Sequence, residues 1–243
     1  MSGFYSEYTD LTSGTVNIKG EEAHHILNVF RKKNGDTVQV TNGKGLLISA
    51  QIIATNKKEV ICKILKSEKK LKSKPIIACA FSLLRSKHDF MIIEKLTELG
   101  ISEFYPFISQ FTVRKPNSNT AEKMTKTAIS AIKQCDNAYL PKIYEPRKLT
   151  EQIKFIKSKQ YKIITASELQ PENTLADCWD KKENLCFAIG PEGGFSPEER
   201  EFFTRENISQ ITLGNHILRA ETAAVNFASV ILGKLLENDP SHY

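Results

Sequence analysis

The stretch Leu185-Cys186-Phe187-Ala188-Ile189-Gly190-Pro191-Glu192-Gly193-Gly194-Phe195-Ser196-Pro197-Glu198-Glu199 reads as a short apolar strand, a tight loop and a helix start. Gly190, Gly193 and Gly194 allow backbone turns that side chains forbid, and they let a ligand approach the main chain closely. Ser196 suits a helix N-cap, with Pro197 at the first helical position and Glu199 three residues on to close a capping box. Neither G-x-x-x-x-G-K-[ST] nor G-x-G-x-x-G is present. Taken alone, the loop fits a binding loop or a sharp strand-to-helix turn.

The same grammar extends to both sides. Strands are expected at Ile76 to Leu84, Glu103 to Ile108, Tyr161 to Ala166 and Gln210 to Leu213. Helices are expected at Lys87 to Leu99, Ala121 to Cys135, Thr150 to Ser158, from Ser196, and from about Arg219 to Leu236. Strands alternating with helices imply an α/β domain with a mostly parallel sheet covered on both faces, whose ligands bind beyond the carboxyl ends of the strands. A second strand-glycine-helix junction, Leu213-Gly214-Asn215-His216-Ile217-Leu218-Arg219-Ala220-Glu221, follows closely. If the two strands are neighbours, as sequential strands usually are, the two loops lie side by side and clamp one ligand. The final helix is apolar on several sides, which suits core or a subunit interface.

The first third of the chain has a different character. Residues 1–74 hold 13 basic and 7 acidic side chains, whereas residues 75–243 hold 21 of each, so the +6 net charge of the 243-residue chain lies in the N-terminal part. That asymmetry suits a small module meeting a polyanion beside a neutral larger one. Strands are expected at Thr37 to Thr41, Leu46 to Ala54 and Glu59 to Leu65, with a helix over Glu21 to Arg31, together a small β-barrel. Ser67 to Pro75 is charged and nearly free of apolar residues, as a linker is, and sets the boundary between domains 1–74 and 75–243. Arg31, Lys32 and Lys33, with His25 before them, are the candidate phosphate contacts.

No apolar run approaches the roughly 18 residues of a membrane span, and Met1 to Glu7 has neither a basic start nor an apolar core, so a cytoplasmic protein is expected. Five scattered cysteines without a C-x-x-C pair suggest neither a disulfide framework nor a zinc site. Adjacent His24 and His25 would point about 100° apart on a helix, so no metal is expected there.

Gly190 to Ser196, taken with Leu213-Gly214 and Ile217-Leu218-Arg219-Ala220-Glu221-Thr222-Ala223, resembles the RsmE family of 16S rRNA uridine-N3 methyltransferases, of the SPOUT class. His24-His25 through Arg31, Gly35-Asp36 and the helix Ile93 to Gly100 agree with that family. The resemblance implies a PUA-like β-barrel followed by a SPOUT-type α/β domain with a C-terminal trefoil knot around S-adenosyl-L-methionine, working as a homodimer on the 16S rRNA of the small ribosomal subunit. It places the cofactor on Ala166, Ser167, Gly190, Glu192, Gly193, Leu213, Gly214, Ile217 and Leu218. The chain departs from the family at Lys133-Gln134-Cys135-Asp136-Asn137, where a Glu-Gln pair followed by Arg is common, and at His216 and Ala220.

The N3 atom of neutral uridine carries a proton, so a base or a cation-stabilised anion must make it nucleophilic. Arg219 is the candidate for stabilising charge on the uracil carbonyls, and Glu221 for orienting Arg219 or accepting the proton. Two other readings differ in class: a non-catalytic RNA-binding or assembly protein, and a SPOUT methyltransferase acting on another RNA such as a tRNA.

Overall fold

Apolar residues at every second position bury one face of the longer N-terminal strands, and these faces close over a single core. The computed structural model describes residues 3–169 and 173–237. Its strands are β1 (Phe4–Tyr5), β2 (Tyr8–Asp10), β3 (Thr15–Lys19), β4 (Thr37–Thr41), β5 (Leu46–Asn56) and β6 (Glu59–Lys69). They form one sheet in the order β1-β4-β5-β6-β3-β2. The edge strands β1 and β2 are separated in sequence only by Ser6 and Glu7. Two residues span less than about 11 Å, so the sheet must curl round until its edges meet. Ser6 closes that seam, with its N–H donating to Thr41 O (3.0 Å) and its hydroxyl to Asn17 O (2.6 Å). The core inside is Val16, Ile18, Val38, Val40, Ile48, Ile52 and Val60 with Ala23 and Ile26 of the helical segment.

Three expectations for this part need correction. Ser67 to Lys69 are strand rather than linker, because β6 pairs antiparallel with β5 as far as Leu46 opposite Lys69. The helix is α1 (Gly20–His24) continued by a π-helical turn, His25–Val29, and it ends at Phe30, before Arg31. Strands β1 to β3 were not anticipated at all.

This first unit comprises the chain up to Lys72 together with Ile129–Leu140; the second comprises Ser73–Ala128 and the chain from Pro141 onward. The division falls within α3 (Thr120–Gln134). Within the segment Lys133 to Asn137, Lys133 Nζ pairs with Glu22 Oε1 at 2.5 Å, and Lys133 O accepts from Gly3 N at 2.8 Å.

The second unit is an α/β sheet. Its strands are β7 (Ile77–Ser82), β8 (Glu103–Ile108), β9 (Lys142–Ile143), β10 (Arg147–Lys148), β11 (Lys162–Ala166), β12 (Leu185–Ile189) and β13 (Ser209–Ile211). Every pairing is parallel, in the order β10-β8-β7-β12-β11-β13, with β9 also on β8. Its helices are α2 (His88–Glu98), part of α3, α4 (Leu149–Ser158), α5 (Leu175–Cys178), α6 (Pro197–Arg205) and α7 (Ala220–Leu236). Side chains alternate through the central strands, as a pleated strand requires. Ala78, Ala80, Cys186 and Ala188 join Ile153, Ile156, Phe202 and Phe203 of α4 and α6 on one face. On the other, Phe187 meets Phe227 of α7 with ring centroids 5.0 Å apart. Helices thus cover both faces, and β7 and β12 are buried at every position. Among the described residues, no helix is long and apolar enough to cross a membrane.

Candidate active site

Loops leaving the carboxyl ends of β7, β11, β12 and β13 enclose a cavity of about 890 Å³. This is where an open parallel sheet presents backbone groups to ligands, and the volume lies in the range of small-molecule sites. β12 and β13 are not neighbours, since β11 pairs with both. The two glycine loops nevertheless meet, because all three strands point their carboxyl ends the same way.

The floor is the loop from Gly190 to Phe195. Ser196 caps α6 through a complete capping box: Glu199 N donates to Ser196 Oγ (3.2 Å) and Ser196 N to Glu199 Oε2 (2.9 Å). The other Glu199 oxygen accepts from Gln110 N at 2.8 Å, which ties in the loop after β8. Gly194 is left-handed at φ +70°, and a Cβ there would lie 2.9 Å from Glu168 Oε1. Glu192 reaches across to accept from Arg85 N at 2.8 Å.

The opposite wall is Thr212 to Ala220. Gly214 sits at φ +133°, a region open to glycine, and Thr212 Oγ1 donates to Gly214 O at 3.0 Å. Ile217 is 88% exposed. Asn226 of α7 donates to Leu213 O at 3.4 Å.

The cavity brings together every residue expected to meet the cofactor: Ala166, Ser167, Gly190, Glu192, Gly193, Leu213, Gly214, Ile217 and Leu218 all line it. Arg219 and Glu221 line it too. The neighbour of Glu221, however, is His88, whose Nδ1 lies 3.3 Å from Glu221 Oε1, and not Arg219. Arg219 is exposed, and its guanidinium has no ion pair among the described residues. The basic group His25, Arg31, Lys32 and Lys33 lies in the first unit. His25, Arg31 and Lys33 are exposed there, and His25 packs edge-on against Phe30 at 5.5 Å. Lys32 Nζ donates to Thr37 O at 3.3 Å.

Sequence reading missed one wall, the turn Arg85-Ser86-Lys87-His88, of which Arg85 and His88 line the cavity. Ser86 and Lys87 are both left-handed, at φ +49° and +61°, a strained arrangement for residues with side chains. Its position beyond the carboxyl end of β7 was the available signal. The turn is anchored by Asp89, fully buried and paired with Arg114. Burial pushes the Asp89 carboxyl up to about 6, against the opposing pull of Arg114. Among the described residues, no cluster of three or more metal-ligating side chains occurs.

A parallel sheet with a glycine-walled cavity beyond its strands, in one chain with a curled β-unit, defines a class that known proteins identify. The RNA methyltransferase domain model matches residues 71–232, and the RNA methyltransferase PUA domain model matches residues 18–65. The chain belongs to the RNA methyltransferase family. In particular, it is 27% identical over 228 residues to the ribosomal RNA small subunit methyltransferase E of Bacillus subtilis, covering 89% of each chain. The fold matches a probable rRNA-methyltransferase from Porphyromonas gingivalis at a TM-score of 0.80, with 26% identity over 96% of this chain and 98% of that one. It also matches the small subunit methyltransferase E of Neisseria gonorrhoeae bound to S-adenosyl methionine, at a TM-score of 0.87 and 24% identity over 96% and 98%.

Proposed function

We propose that this enzyme transfers the methyl group of S-adenosyl-L-methionine to N3 of a uridine in the 16S rRNA of the small ribosomal subunit. The observation that carries the reading is the convergence of the eleven expected residues, from Ala166 to Glu221, on one cavity. The donor set suits a nucleoside cofactor, being largely backbone at Gly190, Gly193, Leu213 and Gly214, with apolar Ile217 and Leu218. The bound cofactor supplies an electrophilic methyl on a sulfonium. The chain's task is in-line positioning and charge stabilisation. Arg219, free of any described ion pair, meets the negative charge that develops on the uracil carbonyls as N3 loses its proton. Glu221, held by His88, is the group at hand to take that proton. N3 lies on the pairing edge of the base, so the uridine must be unpaired or extruded to react.

Residues 1–74 form the RNA-binding domain in this reading, and 75–243 the methyltransferase domain. Exposed Arg31 and Lys33, beside the exposed rings of His25 and Phe30, suit phosphate contact and stacking. A cytoplasmic homodimer, with a trefoil knot in its C-terminal loops, completes the proposal. It is supported by the resemblance and by Met91 and Val230, exposed at 48% and 45% on the helices α2 and α7 that pack together.

The test is transfer of labelled methyl to small subunits lacking the modification, followed by nucleoside digestion. Label is expected in 3-methyluridine. Label in tRNA instead would move the substrate. No label on subunits, free rRNA or tRNA, with cofactor binding intact, would favour the non-catalytic RNA-binding protein.

A further inference from the structure

Beside the cofactor cavity lies a second groove of about 400 Å³, lined by Arg85, Phe111, Val113 and the edge of the glycine loop at Glu192 and Gly193. Arg85, Glu192 and Gly193 line both spaces, so a molecule in the groove abuts one in the cavity. We propose that this groove seats the target nucleotide, with the base stacked on Phe111 and the adjoining phosphate on Arg85. The inference deepens the methyl-transfer reading and rests on it.

The loop that carries Phe111 is firmly held. Thr112 Oγ1 is 2.6 Å from Ser82 Oγ and accepts from Ser109 N at 2.8 Å, while Gln110 N donates to Glu199 Oε1. Arg114 is paired with buried Asp89. On a loop fixed at these points, Phe111 and Val113 still show 44% and 56% of their surface to solvent. Rigid loops presenting exposed aromatic rings are the usual platform for an unpaired base. Phe111 is moreover pressed on the glycine loop, since a Cβ on Gly193 would lie 3.1 Å from Phe111 Cβ. A side chain at residue 193 would push the ring away from the cavity.

Arg85 supplies the charge. Its backbone N–H is fixed by Glu192, yet its guanidinium is exposed and has no ion pair or hydrogen bond among the described residues. An exposed guanidinium on a residue lining the groove, beside apolar Phe111 and Val113, complements the phosphate that accompanies every base of an RNA. A ring face and a cation lining one groove together suit an extruded nucleotide.

The substitution Phe111→Trp tests this directly, because the one natural tryptophan, Trp179, is buried. Adding single-stranded oligouridine is expected to quench the fluorescence of the variant and leave the wild type unchanged. Adding Arg85→Ala to that variant should weaken the titration about tenfold and flatten its salt dependence. In methyl transfer to small subunits, Phe111→Ala is expected to raise KM for RNA about tenfold, with cofactor affinity within twofold and Phe111→Trp restoring most of the loss. No quenching by oligouridine overturns the proposal, as do KM and kcat within twofold of wild type for both Phe111→Ala and Arg85→Ala. Quenching without any methyl transfer by the wild type would instead keep the nucleotide subsite and remove the substrate reading.

Discussion

The two glycine loops of the cavity share one sequence pattern, strand, glycine, helix, and differ in how they are held. Gly190 to Phe195 is tied by the Ser196–Glu199 box, by Glu199 to Gln110, by Glu192 to Arg85 and by buried Phe195 packed on Phe203 at 4.8 Å. Thr212 to Arg219 has the Thr212–Gly214 bond and the long Asn226–Leu213 contact, and leaves Gly214 to Ile217 exposed. A braced floor and a lightly held wall suit different tasks. The floor is preformed, whereas the wall can adjust to a ligand and leads at its end into Arg219 and Glu221.

That comparison breaks first at Arg219. If the lightly held wall delivers the chemistry, Arg219→Ala should lower single-turnover methyl transfer by about 10²–10³-fold, the usual cost of one charge-stabilising donor. Cofactor affinity, measured by calorimetry, should stay within threefold. A loss of affinity with an unchanged rate at saturation would make Arg219 a binding group instead.

The braced side is sharpened by Asp89, which anchors the turn that Glu192 grips. Its carboxyl stands at about 6 in the folded chain against an ordinary value of 3.8. A raised value means the folded state binds the proton more tightly. The resulting stability is fully present below about pH 4 and is lost as pH rises through 6. Relative to Asp89→Asn, whose side chain does not titrate, the wild type should lose on the order of 2–3 kcal/mol between pH 4 and 7 in denaturant unfolding. Parallel curves for the two proteins would mean that Arg114 holds Asp89 charged throughout.

How far these features were legible depends on their physics. Leu185–Ile189 and Thr37–Thr41 emerge with the bounds expected, because a short apolar run and a strict alternation bounded by polar residues have few alternatives. The cap at Ser196 was equally plain, since capping chemistry is local. Which residues would meet the cofactor followed from resemblance; periodicity carries no such information. Strands β1 to β3 have two to five residues each; β1 and β3 owe their existence to pairing with β4 and β6, a long-range effect, and β2 pairs in turn on β3. Ser67 to Lys69 look like linker but extend a strand because Leu46 to Ile48 lie opposite. The Arg85 to His88 turn was hidden for a different reason: Ser86 and Lys87 take backbone angles that sequence assigns to glycine or asparagine. His88 therefore could not be matched with Glu221 before the fold brought them together.

The floor's brace gives a smaller effect. Ser196 is fully buried, and Ser196→Ala removes the acceptor for Glu199 N. A loss of about 1 kcal/mol is expected, seen as a lower urea midpoint at constant m. Restoration by Ser196→Asp or Ser196→Asn would confirm capping as the cause, although the buried position favours the smaller native hydroxyl.

Ile217 gives the smallest change in stability and the clearest view of the wall. At 88% exposure it contributes almost nothing to the folded core, so Ile217→Ala should alter unfolding free energy by less than about 0.5 kcal/mol. An isoleucine held out to solvent at the lip of a cavity nonetheless has apolar surface to bury once a ligand lies beneath it. If the wall settles onto the cofactor, truncating Ile217 removes about three methylene-sized groups from that contact, and each is worth about 0.8 kcal/mol when fully buried. Partial burial then weakens cofactor binding by about three- to thirtyfold, read by calorimetry as a higher Kd with a smaller heat-capacity change. An unchanged Kd would show that the wall stays where the free structure places it, and the contrast between the two loops would then be one of bracing alone.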